Sequence, residues 1–155
     1  MHAAPPEFLA RTRELLATAA PGAPEGRPFQ LGNRRHRHSM NSWLNELPSL
    51  HPAGKRNDVL INPEDAAALG IADGDQVRVF STVGSIQLAA SLSPRLRRGL
   101  VVVDHGWGSR IFDPRGGEAP QSFGVNRNLL VDGESIDPLS QTSTLSESYV
   151  GLARV

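Results

Sequence analysis

Residues 58–80 read DVLINPEDAAALGIADGDQVRVF, and this stretch decides the fold. Its apolar run, 58–61, predicts a short strand. The Asn-Pro pair that follows predicts a helix over 63–69, because asparagine caps a helix and proline suits its first turn. Gly70 predicts the end of that helix. After a tight turn, residues 76–80 alternate polar and apolar side chains, which indicates a half-buried strand.

Patterns further along the chain predict three more strands. Val83-Gly84 turns the chain into a strand over 85–92, which completes a hairpin. Residues 100–103 are continuously apolar, as in a strand buried on both faces, and residues 148–155 supply a final strand. Between these two, residues 104–133 lose periodicity and are rich in glycine, which is typical of a functional or a disordered loop. Short strands, one short helix and no repeated strand-helix-strand unit favour a small barrel.

The first 28 residues predict a separate unit. Apolar side chains recur at helical spacing over 6–20. Residues 21–28, PGAPEGRP, read as a linker because proline and glycine interrupt helices and strands. We therefore expect an N-terminal helix and Pro/Gly-rich linker over 1–28, followed by one compact domain over 29–155.

The composition fits one domain and excludes several kinds of chemistry. A chain of 155 residues with 39% hydrophobic residues is long enough for a single core. Because it contains no cysteine, it has no disulfide, no thiolate iron-sulfur cluster and no thiol nucleophile. Its 16 basic and 16 acidic residues cancel, so no overall charge favours nucleic acid. With no apolar segment of membrane-spanning length and no signal peptide, we expect a cytoplasmic protein without nucleic-acid or membrane partners.

The densest polar segment covers residues 31–45, LGNRRHRHSMNSWLN. Arginine presents a planar fork to phosphate, asparagine pairs with the edge of a heterocycle, and tryptophan offers a face for stacking. The segment therefore indicates a site for an anionic, nucleotide-like ligand. Taken alone, it also fits a solvated basic loop or a phosphate contact to nucleic acid. His36, His38 and His105 suggest a metal site, but neither cysteine nor a helix-spaced histidine pair supports one.

Four segments, taken in order, resemble a known family. They are residues 34–42 (RRHRHSMNS), 61–77 (INPEDAAALGIADGDQV), 105–108 (HGWG), and 124–130 (GVNRNLL) with 137–140 (DPLS). Over about residues 29–155 the chain resembles the C-terminal molybdopterin-dinucleotide-binding domain of the dimethyl sulfoxide reductase superfamily, and most of all its formate-dehydrogenase-like oxidoreductases. The resemblance implies a mainly β fold with short helices, a six-stranded double-psi β-barrel.

The resemblance also implies the cofactor and the residues that hold it. The cofactor is molybdopterin guanine dinucleotide, in the bis-form in the full enzyme, and we expect the isolated domain to lack it. The implied binding residues are Arg35, His36, Arg37, His38, Ser39, Asn41, Ser42, Trp43, His105, Gly106, Trp107, Gly108, Asn126 and Asn128. No catalytic or metal-ligating residue is expected in this chain.

The implied partners are the remaining domains or the catalytic subunit of a molybdopterin oxidoreductase, which supply the metal ligand and the electron path. With no cysteine and a length far below that of the full enzymes, the chain is not expected to catalyse a redox reaction alone. It reads as an isolated domain, cut from a longer enzyme or encoded separately. The alternative is a stand-alone double-psi barrel that serves as an adaptor or protein-interaction module.

Overall fold

A computed structural model describes residues 5–18, 22–35, 40–43, 57–108, 124–134, 136–137, 141–143 and 148–155. The helices are α1 (Pro6–Ala17) and α2 (Pro63–Ala68), with a short 3-10 helix at Arg127–Leu130. The strands are β1 (Phe29–Gly32), β2 (Val59–Ile61), β3 (Gln76–Phe80), β4 (Ser85–Leu92), β5 (Leu100–Val103) and β6 (Tyr149–Arg154).

The six strands close into a barrel in the order β1-β5-β2-β4-β3-β6. Two neighbouring pairs are parallel, β1 with β5 and β2 with β4. The other four pairs are antiparallel. Parallel neighbours cannot be joined by a hairpin, so each parallel pair requires a long crossover. The predicted mainly β fold, a six-stranded double-psi barrel, is confirmed.

Aliphatic side chains fill the barrel interior. In β3 every second residue is buried, with Val77 and Val79 facing inward, and β4 alternates in the same way through Leu88. β5 differs, because residues 101–103 are all buried. This strand lies between β1 and β2 in the barrel. The predicted hairpin, its half-buried strand over 76–80 and the buried strand over 100–103 are therefore confirmed.

Helix α2 and its N-cap residue form hydrogen bonds with the loop that leads into β5. The Asn62 side chain caps the helix by accepting a hydrogen bond from the Glu64 backbone N–H at 2.8 Å, and its Nδ2 donates to the Leu96 carbonyl at 2.6 Å. Asp65 accepts from the backbone N–H of Gly99 at 2.7 Å. These contacts place the start of β5, and thereby the loop that follows β5.

Replacing Asn62 by alanine is expected to lower the free energy of unfolding by about 1–3 kcal/mol, because the helix loses its cap and the Leu96 carbonyl loses a donor. Urea unfolding followed by circular dichroism measures the loss. Asn62→Ser is the matched control, since serine can still cap the helix but is too short to replace the contact with Leu96. Equal losses for the two variants would contradict this role of the cap.

The helices end where the local backbone changes. α1 ends at Ala17, three residues earlier than predicted, because Thr18 is already extended. α2 ends at Ala68, and Gly70 after it takes the left-handed conformation that the sequence predicts. The 3-10 helix was not predicted, since four residues are too few to show a period.

In the parts of the chain described here, no helix has the length and apolar character needed to cross a bilayer.

Candidate functional site

The parallel pairing of β1 and β5 brings two polar segments together. Gln30 pairs with Leu100 and Gly32 with Val102, so both strands leave the barrel at the same end. The chain after β1 continues into residues 33–35, and the chain after β5 continues into residues 104–108. These segments are about 70 positions apart in sequence but lie side by side in the fold.

Two side-chain contacts join these segments. The Arg34 guanidinium donates from Nε and Nη2 to the two oxygens of Asp104, at 2.9 and 3.0 Å, and the Asp104 side chain is only 1% exposed. The His105 Nδ1 lies 3.0 Å from the Asn33 amide oxygen. Because an amide oxygen only accepts, Nδ1 carries the proton in this contact. When the ring is neutral, Nε2 is the acceptor nitrogen, and this buried atom has no hydrogen-bond partner among the described residues.

Glycines allow three loop segments to pack backbone against backbone. Gly106 has a φ of +86°, and a Cβ on it would collide with the carbonyl of Asn41. Gly108 has a φ of +73°, and a Cβ there would collide with the backbone at Val125 and Asn126. Residues 40–43, 105–108 and 124–128 are therefore held together at distances that only glycine permits.

The 3-10 helix packs on the β3–β4 hairpin. The Asn126 side chain caps it by accepting from the Asn128 backbone N–H at 3.0 Å. Gly84 lies so close to the Leu129 carbonyl that a Cβ at position 84 would overlap it. The Val83-Gly84 turn thus reverses the chain and also packs against the segment that carries Asn126 and Asn128.

These segments surround a cleft of about 930 Å³. Its described lining contains two arginines and a histidine, Arg35, Arg127 and His105, together with amide and hydroxyl side chains. No aspartate or glutamate is present among those lining residues, although the whole chain has 16 acidic residues and no net charge. The cleft is therefore locally electropositive and suited to an anionic ligand.

Most of the predicted binding residues that the structure describes meet at this cleft. Trp43 does not line it, and its side chain is 68% exposed. His36, Arg37, His38 and Ser39 lie outside the described residues, so their role stays a prediction. The predicted residues that line the cleft are Arg35, Asn41, Ser42, His105, Gly106, Trp107, Gly108, Asn126 and Asn128.

Arg127 is a lining residue that the sequence analysis did not select. Its side chain is 3% exposed, and within the described structure its Nε and Nη2 have no hydrogen-bond partner. Burial lowers the pKa of the guanidinium, because desolvation disfavours its charged form. The motif GVNRNLL contains this arginine, but a sequence pattern does not show which of its side chains is buried. The flanking asparagines were selected instead.

A metal site is the other chemistry that the histidines suggested. Within the described parts of the chain, no group of three or more His, Cys, Asp or Glu side chains is arranged to hold a metal ion. The described contact of the His105 ring is the one between Nδ1 and Asn33.

Fold and cleft together define a class of protein: a double-psi barrel with an electropositive cleft, suited to an anionic ligand, at the loops after β1 and β5. The family "Molydopterin dinucleotide binding domain" matches residues 29–148. The chain belongs to this family. It is thus a molybdopterin dinucleotide-binding domain.

Curated relatives include two reductases. The chain is 36% identical over 121 residues to trimethylamine-N-oxide reductase 1 of Escherichia coli (strain K12), covering 76% of this chain and 14% of that protein. It is 35% identical over 96 residues to the dimethyl sulfoxide/trimethylamine N-oxide reductase of Cereibacter sphaeroides, covering 60% of this chain and 11% of that protein. The chain thus spans a small part of the length of the relatives it matches.

A solved structure supports the fold. The acetylene hydratase from Pelobacter acetylenicus superimposes with a TM-score of 0.70 at 19% sequence identity, covering 83% of this chain and 18% of that chain. At this identity the likeness concerns the fold alone.

The residues present fit the cofactor. A dinucleotide carries a negatively charged diphosphate, which the unpaired donors of Arg127 and the arginine at position 35 can neutralise. Its pterin and guanine rings carry N–H and carbonyl edges, which suit the acceptor of His105 and the amide of Asn128. The close glycine contacts at 106 and 108 hold the three loop segments together at the cleft.

Proposed function

We propose that this chain holds molybdopterin guanine dinucleotide within the catalytic subunit of a larger molybdenum- or tungsten-dependent oxidoreductase. The observation that carries the proposal is the cleft itself, where segments far apart in sequence form an electropositive, amide-rich wall. Other domains of that subunit supply the metal ligand and the electron path. The small share of the matched relatives that this chain covers, 14% and 11% for the two reductases above, supports such an arrangement.

Within this arrangement the chain's own residues bind and orient. Arg35 offers a guanidinium to the diphosphate, and the Asn128 amide offers a donor and an acceptor to a ring edge. His105, oriented by Asn33, offers Nε2 to a ring N–H. When bound, the cofactor carries the metal at which electrons or an oxygen atom are exchanged with the substrate. The protein's contribution is a preformed surface on which the dinucleotide takes one position.

We further propose that the parent enzyme is a reductase of small sulfoxides or amine N-oxides. The names of the curated relatives, dimethyl sulfoxide and trimethylamine N-oxide reductases, support this substrate class. A formate-dehydrogenase-like activity and a cytoplasmic location, both expected from the sequence, stay predictions.

The proposal predicts that Arg35→Ala/Asn128→Ala in the complete catalytic subunit lowers cofactor retention at least about tenfold, because two polar contacts to a charged ligand exceed the roughly 1.4 kcal/mol that a factor of ten requires. Both side chains line the cleft. Neither side chain forms a hydrogen bond with another described residue. Molybdenum and pterin per protein, measured after extensive dialysis, report the loss.

Arg95→Ala is the matched control, since Arg95 is exposed on the turn before β5 and does not line the described cleft. Unchanged molybdenum and pterin content in the double variant would reject the proposed site. It would favour a protein-interaction role for the barrel.

A further inference from the structure

Arg127 occupies an unusual position for a charged side chain. It begins the 3-10 helix, lines the cleft and is 97% buried, given its exposure of 3%. Arginine remains protonated at neutral pH even when burial lowers its pKa. A buried charge without a counter-charge is costly, so native proteins pair nearly all of them.

The two unpaired nitrogens of Arg127 form one edge of the guanidinium. Nε and Nη2 are the donors that bind two oxygens of a carboxylate or phosphate side by side. Arg34 uses the same two atoms on the oxygens of Asp104, at 2.9 and 3.0 Å. The protein itself satisfies this edge at Arg34, whereas the edge of Arg127 faces no acceptor among the described residues.

The counter-charge for Arg127 is not provided by the described wall of the cleft. That wall has no carboxylate, and its other ionisable groups are Arg35 and His105. An anionic ligand in the cleft can supply an acceptor with two oxygens. In a dinucleotide such oxygens belong to the phosphates, because the ring carbonyls are uncharged.

We propose that Arg127 is a phosphate-binding residue of the cleft, whose Nε–Nη2 edge receives two oxygens of the cofactor's diphosphate. This inference rests on the proposed function and names the residue that takes the charge. The ligand-free domain then contains an arginine that is destabilising until the anion binds. The stability of the domain thus depends on whether an anion is bound at Arg127.

The test uses the 155-residue chain in phosphate-free buffer, with inorganic pyrophosphate as the probe and sodium chloride at matched ionic strength. Without pyrophosphate, Arg127→Met should melt on the order of 2–4 °C higher than the parent chain, because methionine fills similar space without a buried charge. At pyrophosphate concentrations well above the dissociation constant, the melting temperature of the parent chain should rise by about 3–6 °C for each tenfold increase in concentration. The melting temperature of Arg127→Met should not change with pyrophosphate.

Two further variants and one direct measurement complete the design. Arg127→Lys keeps the charge but not the planar fork, so its response to pyrophosphate should be weaker than that of the parent chain. Arg95→Met removes an exposed charge outside the cleft lining and should respond as the parent chain does. In the unmodified chain, hydrogen exchange of the Arg127 Nε–H should slow when pyrophosphate is added.

The outcomes separate this inference from the proposed function. If Arg127→Met melts lower without pyrophosphate, and pyrophosphate stabilises both chains equally, Arg127 has a packing role and the inference is overturned. If the response requires Arg127 but the Arg35→Ala/Asn128→Ala enzyme retains its cofactor, the phosphate site stands and the proposed cofactor contacts fail. If the enzyme loses cofactor but the pyrophosphate response does not depend on Arg127, only the present inference fails.

Discussion

Replacing Gly106 by alanine is expected to lower the free energy of unfolding by about 2–5 kcal/mol and to remove cofactor binding from the complete enzyme. Two costs add at this position. A φ of +86° is unfavourable for any residue with a Cβ, and that Cβ would collide with the Asn41 carbonyl. Since backbone cannot rotate away as a side chain can, residues 40–43 must move apart from residues 105–108. The cleft wall would open at that point.

Two glycines in the same chain separate these costs. Gly74 has a φ of +85° with nothing near its missing Cβ, so Gly74→Ala should cost only the backbone term, about 1–2 kcal/mol. Gly133 lacks the positive φ and has equally open surroundings, so Gly133→Ala should be nearly neutral. Chemical unfolding ranks the three variants, and cofactor content is measured on the full enzyme. A Gly106→Ala protein no less stable than Gly74→Ala would refute the close packing of the two loops.

Replacing Arg34 by methionine is the second change expected to have a large effect, about 2–4 kcal/mol of stability. It removes the donors of both hydrogen bonds at 2.9 and 3.0 Å from a carboxylate that is 1% exposed. The estimate lies toward the lower end of the range for buried pairs because Arg34 is itself 41% exposed. The loss should be seen in urea unfolding and as a lower melting temperature.

The neighbouring arginine is the matched control. Arg35 is exposed and lines the cleft, so Arg35→Met should leave stability nearly unchanged while it weakens ligand binding. In the double variant Arg34→Met/Asp104→Asn the buried charge is also removed, and part of the lost stability should return. If Arg34→Met and Arg35→Met are equally stable, the Arg34–Asp104 pair does not hold the two loops together.

Local patterns in the sequence were sufficient for the helix-turn-strand core of the fold. Asn62 and Gly70 flank α2, and the strands predicted over 76–80 and 85–92 match the bounds of β3 and β4. These predictions succeed because capping, turn formation and alternating burial act over a few residues. β1 has only four residues, and no pattern of its own predicted it. Its place in the barrel follows from pairing with β5 and β6.

The candidate site was predicted in outline, because clusters of arginine, histidine and asparagine indicate ligand chemistry wherever they lie in a fold. Which members of a cluster face the ligand was not predictable. Arg34 and Arg35 are adjacent, yet one binds Asp104 and the other lines the cleft. Trp43 was selected for its stacking face, but it lies outside the lining, whereas Trp107 is buried within it.

The sequence by itself determined the local elements, the polar segments and the class of ligand, since each depends on neighbouring residues and their chemistry. Only the tertiary structure decided that the segments after β1 and β5 meet, because strand pairing joins residues about 70 positions apart. It also decided that Arg127 is buried in the lining of the cleft, because burial is a property of the assembled fold. This burial without a partner among the described residues is the basis of the proposed phosphate-binding role.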